Sequence, residues 1–436
     1  MRAPATVPPD VPGPDEPFDL GASEESLERL RAWCLQYGEF FRVYSPARRS
    51  HTYIVLNPDD IKRVLVTNHR NYAKGVGTDQ ITILLGRGIM TSEGEFWHRQ
   101  RRMLQPAFHR RVLDHFGPAI RRVNLEYAER WADRAARGEP VNVTEAASEL
   151  TLDINLSAIF GRDLPFIRER FGRNPFEIVH TEANRDLKFA YRIRSLAGVV
   201  RELIARRRAD TSDHFDFFGL ALAARDKETG QMMTDKELID EVLTLVVAGH
   251  ETTASALTWT WYHLGLHPDF QEAMADSAAG LGEGDALNLE RTEEWSVGQR
   301  VIRESLRLCP PGWMMTRRTL QADVLHGTAL PRGTDVFVSP YFVHRHPAHW
   351  SDVERFDPSR FAEEASAARH RFAYIPFGAG PRHCIGENFA LYEIAVHFAT
   401  MTRRFRLVPA SDAPPEIEAR INYRLRSDLW MRIEPR

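Results

Sequence analysis

Helical spacing dominates the hydrophobic pattern of the chain. A Thr-Asp-Lys-Glu sequence at residues 234–237 has the form of a capping box, and apolar positions then recur to about Leu266. At 1.5 Å per residue this predicts a rod of roughly 45 Å, the longest helix of the chain. Residues 113–225 indicate further helices with short breaks. The pattern therefore predicts a mainly α fold with a small β region.

Alternation of apolar and polar residues is confined to a few short stretches. Residues 40–44 and 51–56 predict two strands joined by a polar turn, and residues 335–338 predict another strand. The stretch 421–433 predicts a final hairpin. Between these, five glycines mark residues 71–95 as a long loop with short helical pieces, a feature that is more often functional than idle.

Composition narrows the class of protein. The 436 residues are 43% hydrophobic with a formal net charge of -3, which gives no reason to expect a nucleic-acid partner. The proline-rich residues 1–19 predict an extended, partly mobile arm ahead of the fold in residues 20–436. The most apolar run, residues 242–248, is far shorter than the roughly 20 residues needed to span a bilayer. We therefore expect a soluble protein without a membrane anchor.

The three cysteines, Cys34, Cys309 and Cys384, lie far apart in the sequence. No pair has the spacing of a metal finger, and the chain is not a disulfide scaffold, so a reducing cytoplasm is the natural compartment. A single cysteine is more often a buried structural residue than a ligand. A nucleophilic role would need a positioned base.

One cysteine stands out through its surroundings, the sequence Pro-Phe-Gly-Ala-Gly-Pro-Arg-His-Cys-Ile-Gly-Glu at residues 376–387. Gly378 and Gly380 allow the backbone to turn sharply and to pass close to a flat ligand. Arg382 offers a cationic fork suited to a carboxylate. Cys384 comes just before a helical pattern, where helix amides favour a thiolate. A thiolate is the axial ligand that haem iron needs in oxygen-activating enzymes.

The set Phe377, Gly380, Arg382, Cys384 and Gly386 resembles the haem-binding signature of the cytochrome P450 superfamily. The resemblance implies one mainly α catalytic domain with a long central helix over the haem, although length alone suggests two or three domains. It also implies haem b as the cofactor, with the Cys384 thiolate as the metal ligand. Phe377, Arg382 and Gly386 would then contact the cofactor.

Three further motifs resemble the family in the same order along the chain. Trp97 and Arg101 are similar to a Trp-x-x-x-Arg pair that binds a haem propionate. The sequence Ala-Gly-His-Glu-Thr-Thr at residues 248–253 resembles the kink of the central helix, with Ala248 against the haem. By this resemblance, Thr252 hydrogen-bonds dioxygen and Glu251 relays protons to it, while the histidine between them and Ala248 is structural. Trp97 and the 248–253 sequence look more like the eukaryote-like branch of bacterial members.

The third motif concerns stability. Glu304 and Arg307 resemble the Glu-x-x-Arg of the family, and Arg360 lies in a Phe-Asp-Pro-Ser-Arg-Phe segment that resembles their partner sequence. We expect these three residues to form a buried structural network. Arg317 resembles a second propionate ligand, although the adjacent Arg318 leaves that assignment open by one position.

The reaction implied by the resemblance is the insertion of one oxygen atom from O2 into a hydrophobic small molecule, by hydroxylation or epoxidation. A terpenoid or another secondary-metabolite intermediate is the first choice of substrate. A fatty-acid hydroxylase, a peroxide-driven peroxygenase of the same fold, and a non-enzymatic haem-thiolate binding or sensor protein are the alternatives. Candidate pocket residues come from the long loop and from the segment after Cys309; they are Val76, Ile81, Leu84, Met90, Trp313 and Met314.

Electrons would come from a separate carrier. No reductase sequence follows the cysteine loop, so we expect a ferredoxin or flavodoxin with its NAD(P)H reductase as partner, and a monomeric enzyme. The arginines at 101, 102, 110 and 111 cluster near the predicted haem-side helix and form the expected cationic face for an acidic carrier.

Overall fold

A computed structural model describes residues 11–21, 25–172, 174–181, 187–210, 212, 215–282 and 284–436. Contacts within the chain divide it into two compact units, each assembled from three segments. Unit 1 comprises Met1–Thr78, Arg300–Cys384 and Pro415–Ser427; unit 2 comprises Asp79–Gln299, Ile385–Pro414 and Asp428–Arg436. Among the residues that the structure describes, no helix is both long and apolar enough to cross a membrane.

The described residues are mostly helical, as the spacing predicts. The helices are α1 (Ser26–Tyr37), α2 (Pro58–Lys62), α3 (Thr78–Leu85), α4 (Gly94–Leu104), α5 (Arg110–Leu113), α6 (Gly117–Ala136), α7 (Val143–Phe160), α8 (Leu164–Phe171), α9 (Ile178–Thr181), α10 (Leu187–Ser195), α11 (Ala197–Ala209), α12 (Phe217–Ala223), α13 (Asp235–Leu266), α14 (Pro268–Ala279), α15 (Leu289–Glu294), α16 (Ser296–Leu308), α17 (Pro340–Val343), α18 (Glu363–Ala368) and α19 (Glu387–Met401).

Within the described ranges, the strands are short and form four small sheets. They are β1 (Phe40–Ser45), β2 (Ser50–Val55), β3 (Tyr72–Lys74), β4 (Val141–Asn142), β5 (Met315–Thr319), β6 (Asp323–Leu325), β7 (Thr328–Leu330), β8 (Asp335–Val338), β9 (Phe405–Pro409), β10 (Ile417–Ala419), β11 (Tyr423–Leu425) and β12 (Trp430–Pro435).

Unit 1 is built on a five-stranded sheet in the order β1-β2-β8-β5-β3. The predicted hairpin is present, with Phe40 opposite Val55 in antiparallel register. β8 runs parallel to β2 and antiparallel to β5, and it is buried along its whole length. The Val-Phe-Val sequence at residues 336–338 has the continuous apolar character of a strand that is buried on both faces.

The predicted hairpin within residues 421–433 is wrong. β11 pairs with β10, and β12 pairs with β4 and β9, so the two predicted strands do not pair with each other. Alternation reports that a strand is half-buried, but it carries no information about the partner.

The long helix α13 begins and ends where the sequence predicts. The Thr234 side chain accepts a hydrogen bond from the Glu237 amide, and the Glu237 side chain accepts one from the Thr234 amide, which closes the capping box. The flanking Met233 and Leu238 are both buried. Within unit 2, α13 packs along α7 and against α19. Its 32 residues span about 48 Å.

The described part of the N-terminal arm is held against β1. The Arg42 amide donates to the Pro12 carbonyl at 2.9 Å, and the Phe18 amide donates to the Tyr44 carbonyl at 2.8 Å. A Cβ atom on Gly13 would lie 2.0 Å from the Arg42 carbonyl oxygen, so only glycine fits this approach. The arm thus makes backbone hydrogen bonds to β1 at Pro12 and Phe18, and its partial mobility stays a prediction.

Candidate active site

The cysteine loop of unit 1 is a closed turn. Gly378 and Gly380 have φ values of 74° and 72°, in the left-handed region that favours glycine. A Cβ atom on Gly380 would lie 1.9 Å from the Leu65 carbonyl oxygen, so the loop approaches its neighbour too closely for any side chain. The Cys384 amide donates to the Phe377 carbonyl at 3.0 Å. These contacts fix the path of the backbone up to the cysteine.

The three cysteines differ sharply in accessibility. Cys384 is exposed, whereas Cys309 is buried and Cys34 is partly covered. Burial raises the pKa of Cys309 to about 12 and that of Cys34 to about 12, which keeps both thiols protonated at neutral pH. Cys384 is therefore the cysteine whose sulfur is reachable by a ligand. Every residue from 376 to 387 around it is at least partly accessible.

Two adjacent arginines of β5 have different surroundings. Arg318 makes a two-pronged ion pair with the buried Asp335, with N–O distances of 2.8 and 2.9 Å. Arg317 is half-buried and donates to the Thr316 carbonyl at 2.8 Å. Because the guanidinium of Arg318 is committed to a carboxylate of its own unit, Arg317 is the better candidate for binding a propionate. Arg382, in the cysteine loop, is also half-buried.

The structure brings the predicted Glu304, Arg307 and Arg360 together inside unit 1. Glu304 and Arg307 are fully buried and form a two-pronged pair at 2.7 and 2.8 Å. Arg360 Nε lies 3.4 Å from Glu304 Oε1. The sequence does not reveal the remaining partners of Arg307, which are the carbonyl oxygens of His344, Val353 and Arg355. The guanidinium thus ties α16 to the long irregular segment that leads to the cysteine loop.

Trp313 is a core residue of unit 1, and its assignment to a substrate pocket is wrong. Its side chain is 0% exposed, and its Nε1 donates to the Arg420 carbonyl at 2.9 Å. The Ser339 hydroxyl donates to its backbone carbonyl at 2.7 Å. No ring face remains for a ligand. Met314 and Val76 are half-buried and stay candidates.

In unit 2, α4 carries the predicted Trp97 and Arg101. Trp97 is buried at 4% exposure, and its ring makes an edge contact with His98. Arg101 is half-buried and donates from Nε to Gln105 at 2.6 Å. Of the candidate pocket residues in this unit, Ile81 and Leu84 are half-buried on α3, whereas Met90 is exposed. The eight-residue α3 is one of the short helical pieces that the sequence predicts within the long loop.

In the middle of α13, half-buried residues form an accessible strip, and Val247 and Glu251 beside it are also half-buried. Leu245, Ala248, Gly249 and Thr252 are half-buried and recur at the spacing of one helical face. The Thr252 hydroxyl donates to the Ala248 carbonyl at 2.8 Å, as the sequence predicts. The helix is nevertheless continuous from Asp235 to Leu266, so the expected kink is not a break in the helix.

The acidic residue next to this strip is also accessible, whereas the histidine before it is not. Glu251 is half-buried, and His250 is 1% exposed. His250 Nε2 lies 2.9 Å from the Ser148 hydroxyl of α7. The histidine is therefore a packing residue, as expected, and Glu251 is the ionisable group that neighbours Thr252.

Sequence reasoning missed two carboxylates of α13, Asp240 and Glu241, which hold the loop before α4. Asp240 accepts from the Arg87 amide at 3.0 Å, and Glu241 accepts from the Ile89 amide at 2.9 Å. Glu241 also accepts from Gln100 of α4 at 3.0 Å. Two acidic residues inside the apolar run of a helix are the signal that points to such a role, because a buried carboxylate needs donors.

Glycines shape the loop for this contact. A Cβ atom on Gly86 would lie 2.2 Å from Asp240 Oδ1, and one on Gly88 would lie 2.2 Å from Thr244 Oγ1. The loop backbone therefore lies directly on α13. Asp240 further accepts from Arg194 of α10 at 2.8 Å, so the same carboxylate joins a second element to the long helix.

The adjacent carboxylates have opposite pKa shifts. Burial raises the pKa of Glu241 to about 7, against the opposing hydrogen bonds from Ile89 and Gln100. Burial also tends to raise the pKa of Asp240. Hydrogen bonds from Arg194, the Arg87 amide and Lys236 outweigh this effect, and the net result is a lowered pKa. Asp240 is thus a permanent anion, and Glu241 titrates near neutrality.

Comparisons with known proteins agree with this picture. A protein-family model described as Cytochrome P450 matches residues 18–173 and 173–425, which include segments of both units. Cyclooctatin synthase of Streptomyces melanosporofaciens is 32% identical over 82% of this chain and 81% of its own length. Pentalenene oxygenase of Streptomyces avermitilis is 32% identical over 83% of each chain. The crystal structure of the cytochrome P450DA heme domain superposes with a TM-score of 0.82 at 26% identity, over 95% of this chain and 94% of that chain.

The chain belongs to the cytochrome P450 family and is a monooxygenase of that family. Members carry haem b on a cysteine thiolate. The residues present fit this group: among three cysteines, one is exposed at the end of a glycine-shaped loop, and the other two are kept protonated by burial.

Proposed function

We propose that the chain is a haem-thiolate monooxygenase that hydroxylates or epoxidises a terpenoid, with Cys384 as the iron ligand. The observation that carries the proposal is the exposed thiol of Cys384 at the end of the signature loop. Haem held by Cys384 would supply the activation of dioxygen for insertion of one oxygen atom, because a thiolate ligand favours cleavage of the O–O bond.

The chain's own residues bind the cofactor and manage protons. Arg101, Arg317 and Arg382 supply cationic donors for the haem propionates, together with the Trp97 indole, since a guanidinium matches a carboxylate in charge and shape. Phe377, Ala248 and Gly386 supply apolar or close backbone contacts to the ring.

Thr252 and Glu251 are the proton-handling pair. The Thr252 hydroxyl lies on the accessible strip of α13 and donates to the Ala248 carbonyl, so the same hydroxyl could turn to hold a proton for the oxidant. Glu251 is accessible to water and supplies the replacement proton. The presence of this acid–alcohol pair favours dioxygen, used together with electrons from a carrier, over hydrogen peroxide as the oxidant.

A terpenoid substrate is supported by the relatives and by the character of the candidate pocket. Two relatives are named as pentalenene oxygenase and cyclooctat-9-en-7-ol 5-monooxygenase, which refer to cyclic terpenoids. The remaining pocket candidates, Val76, Ile81, Leu84, Met90 and Met314, are all apolar. Apolar pockets with methionine adapt to bulky hydrocarbons.

The electron donor is proposed to be a ferredoxin or flavodoxin with its NAD(P)H reductase. The cationic face expected for it is weaker than the sequence indicates. Arg102 is paired with Asp226 and Glu228, and Arg110 is paired with Glu293. Arg111 is exposed and becomes the principal candidate for the contact.

Isotope labelling tests the function. The purified haem-loaded protein is incubated with ferredoxin, its reductase, NADPH, ¹⁸O2 and a panel of cyclic terpenes and fatty acids. We expect one ¹⁸O atom in a terpene alcohol or epoxide, dependent on the electron donors. Product formed from hydrogen peroxide alone would contradict the proposal and support a peroxygenase. Selective oxidation of the fatty acids would contradict the substrate class.

A further inference from the structure

Three polar residues of α7 contact the middle of α13 within unit 2. Asn155 Nδ2 donates to the carbonyl oxygens of Leu245 and Val246 at 3.2 and 2.9 Å. The Thr151 hydroxyl donates to the His250 carbonyl at 3.4 Å, and the Ser148 hydroxyl contacts the His250 ring. Ser148, Thr151 and Asn155 are spaced by three and four residues, so they share one face of α7.

The hydrogen bonds from α7 meet others made by α13 itself. Thr252 and Thr253 donate to the carbonyl oxygens of Ala248 and Gly249 at 2.8 and 3.1 Å. Together with the α7 donors, side chains reach five of the six carbonyl oxygens from residue 245 to residue 250. This is the turn that leads directly into Glu251 and Thr252.

Gly249 is shaped to fit Asn155. A Cβ atom on Gly249 would lie 2.8 Å from Asn155 Oδ1 and 3.1 Å from its Nδ2. Any larger residue would push the amide away from the Leu245 and Val246 carbonyl oxygens. The glycine, which costs a helix about 1 kcal/mol relative to alanine, is therefore required by the close approach of α7.

The side-chain amide of Asn155 and the backbone of α13 hold each other in position through hydrogen bonds. Asn155 is 4% exposed in a helix of buried apolar residues, so its amide must find partners there. The carbonyl oxygens that it contacts are those of the helix ladder to Gly249 and His250, because each carbonyl bonds the amide four residues later. The Asn155 amide therefore holds the position of these two carbonyl oxygens from outside the helix.

We propose that Asn155 is a positioning residue for the Glu251–Thr252 pair. Its amide holds the Leu245–Gly249 turn, and the turn sets where the Thr252 hydroxyl and the Glu251 carboxyl stand on the accessible strip. The inference rests on the proposed function for its chemical consequence, and on the contacts above for the clamp itself.

Displacement of the Glu251–Thr252 pair should change which product the transferred electrons form. With protons delivered at the correct place, dioxygen, two electrons and two protons convert a C–H bond into an alcohol and release water. With the pair displaced, two electrons from reduced ferredoxin and two protons from water convert dioxygen into hydrogen peroxide, and the substrate is left unchanged. Asn155→Leu should therefore raise the fraction of electrons recovered as peroxide several-fold, since small displacements of positioned groups have large effects.

Hydrogen exchange tests the clamp without any turnover. Leucine is close to asparagine in shape but has no donor. In the ferric haem-loaded protein, we expect the amides of residues 249–253 to exchange on the order of tenfold faster in Asn155→Leu, with the ends of α13 unchanged. Asn155→Ser gives the same comparison if the leucine variant does not fold. Unchanged exchange in this segment would overturn the proposal.

A paired substitution supplies a second test. Gly249→Ala should perturb exchange in the same segment of the wild-type protein, but it should add nothing to the faster exchange of Asn155→Ala, because the steric conflict needs both side chains. Additive effects would overturn the contact. Thr151→Val removes the 3.4 Å hydrogen bond to the His250 carbonyl, together with a 3.2 Å one to the Ser148 carbonyl of α7 itself, and is the matched control, with a smaller change expected in α13.

Hydrogen exchange and the peroxide fraction together distinguish a failure of this inference from a failure of the proposed function. Faster exchange with an unchanged peroxide fraction would overturn the positioning role and leave the assignment of Cys384 intact. Failure of the wild-type protein to form any oxygenated product would contradict the proposed function instead, while the exchange result would still decide whether Asn155 clamps α13.

Discussion

The backbone amide of Ile89 donates a 2.9 Å hydrogen bond to Oε2 of Glu241, a carboxyl group with no exposed surface. Gln100 donates to the other oxygen of the same group at 3.0 Å. One side chain of α13 thus joins the loop before α4 to α4 itself, the helix that presents Trp97 and Arg101. Because burial raises the pKa of Glu241 to about 7, this junction is sensitive to pH.

The pH dependence of stability follows from that shift. Burial raises the pKa of Glu241 from 4.5 to about 7, so the folded state keeps the proton where the unfolded chain has lost it. Stability is therefore highest below about pH 4.5 as far as this group is concerned, and it falls as pH rises to about 7. The difference is about 3 kcal/mol. In Glu241→Gln, denaturant unfolding between pH 5 and pH 8 should lose this slope.

Glu393 offers a comparison for the same experiment. It is fully buried on α19, and in the described part of the chain neither carboxyl oxygen has a hydrogen-bond partner. Burial raises its pKa well above the usual value, so it adds a slope of the same sign. Glu393→Gln should flatten the remaining dependence. A wild-type slope retained in both variants would contradict the account of these carboxyls.

The buried pair of Glu304 and Arg307 gives a prediction of stability. Arg307→Met leaves the buried Glu304 carboxylate without its two-pronged partner, and we expect a loss of about 3–5 kcal/mol in the free energy of unfolding. Arg122→Met removes an exposed pair with Glu126 and is the matched control, with a change within about 0.5 kcal/mol. Equal losses of unfolding free energy in the two variants would contradict the prediction that the buried pair stabilises the fold more than the exposed pair does.

Substitutions at Arg317 and Arg318 should distinguish a role in cofactor binding from a role in the packing of the sheet. Arg317→Leu should lower the haem content of purified protein and speed the transfer of haem to an apoprotein acceptor. Arg318→Leu should leave haem retention unchanged, because its guanidinium is paired with Asp335. Haem loss in Arg318→Leu but not in Arg317→Leu would reverse the assignment.

Arg111 is predicted to contact the electron carrier. Arg111→Glu should slow reduction of the haem by ferredoxin several-fold at low ionic strength, and the difference should shrink in high salt. Arg111→Gln should have an intermediate effect. A rate that is independent of both charge and salt would exclude this surface from docking.

Local signals explain what the sequence could predict. The capping box of α13, the Thr252–Ala248 hydrogen bond and the Glu304–Arg307 pair each depend on residues three or four apart, which a helix places together whatever surrounds it. The glycine-shaped turn before Cys384 is equally local, since it follows from two positive φ angles.

Contacts between distant segments could not be predicted from the sequence. Nothing in the alternation of residues 421–433 shows that β11 pairs with β10 and β12 with β4 and β9. Trp313 has the same apolar character in a core as in a pocket, and only the hydrogen bond to Arg420 decides between them. Asn155 and Glu241 are single polar residues in apolar helices, and their roles depend on which backbone faces them.

The most direct test of the account is the carbon monoxide difference spectrum of the reduced haem protein. Cys384→Ser should lose the red-shifted band of a thiolate-ligated haem, whereas Cys309→Ser and Cys34→Ser should keep it, because their thiols are covered and protonated. Survival of the band in Cys384→Ser, or its loss in Cys309→Ser, would contradict the assignment of Cys384 as the iron ligand.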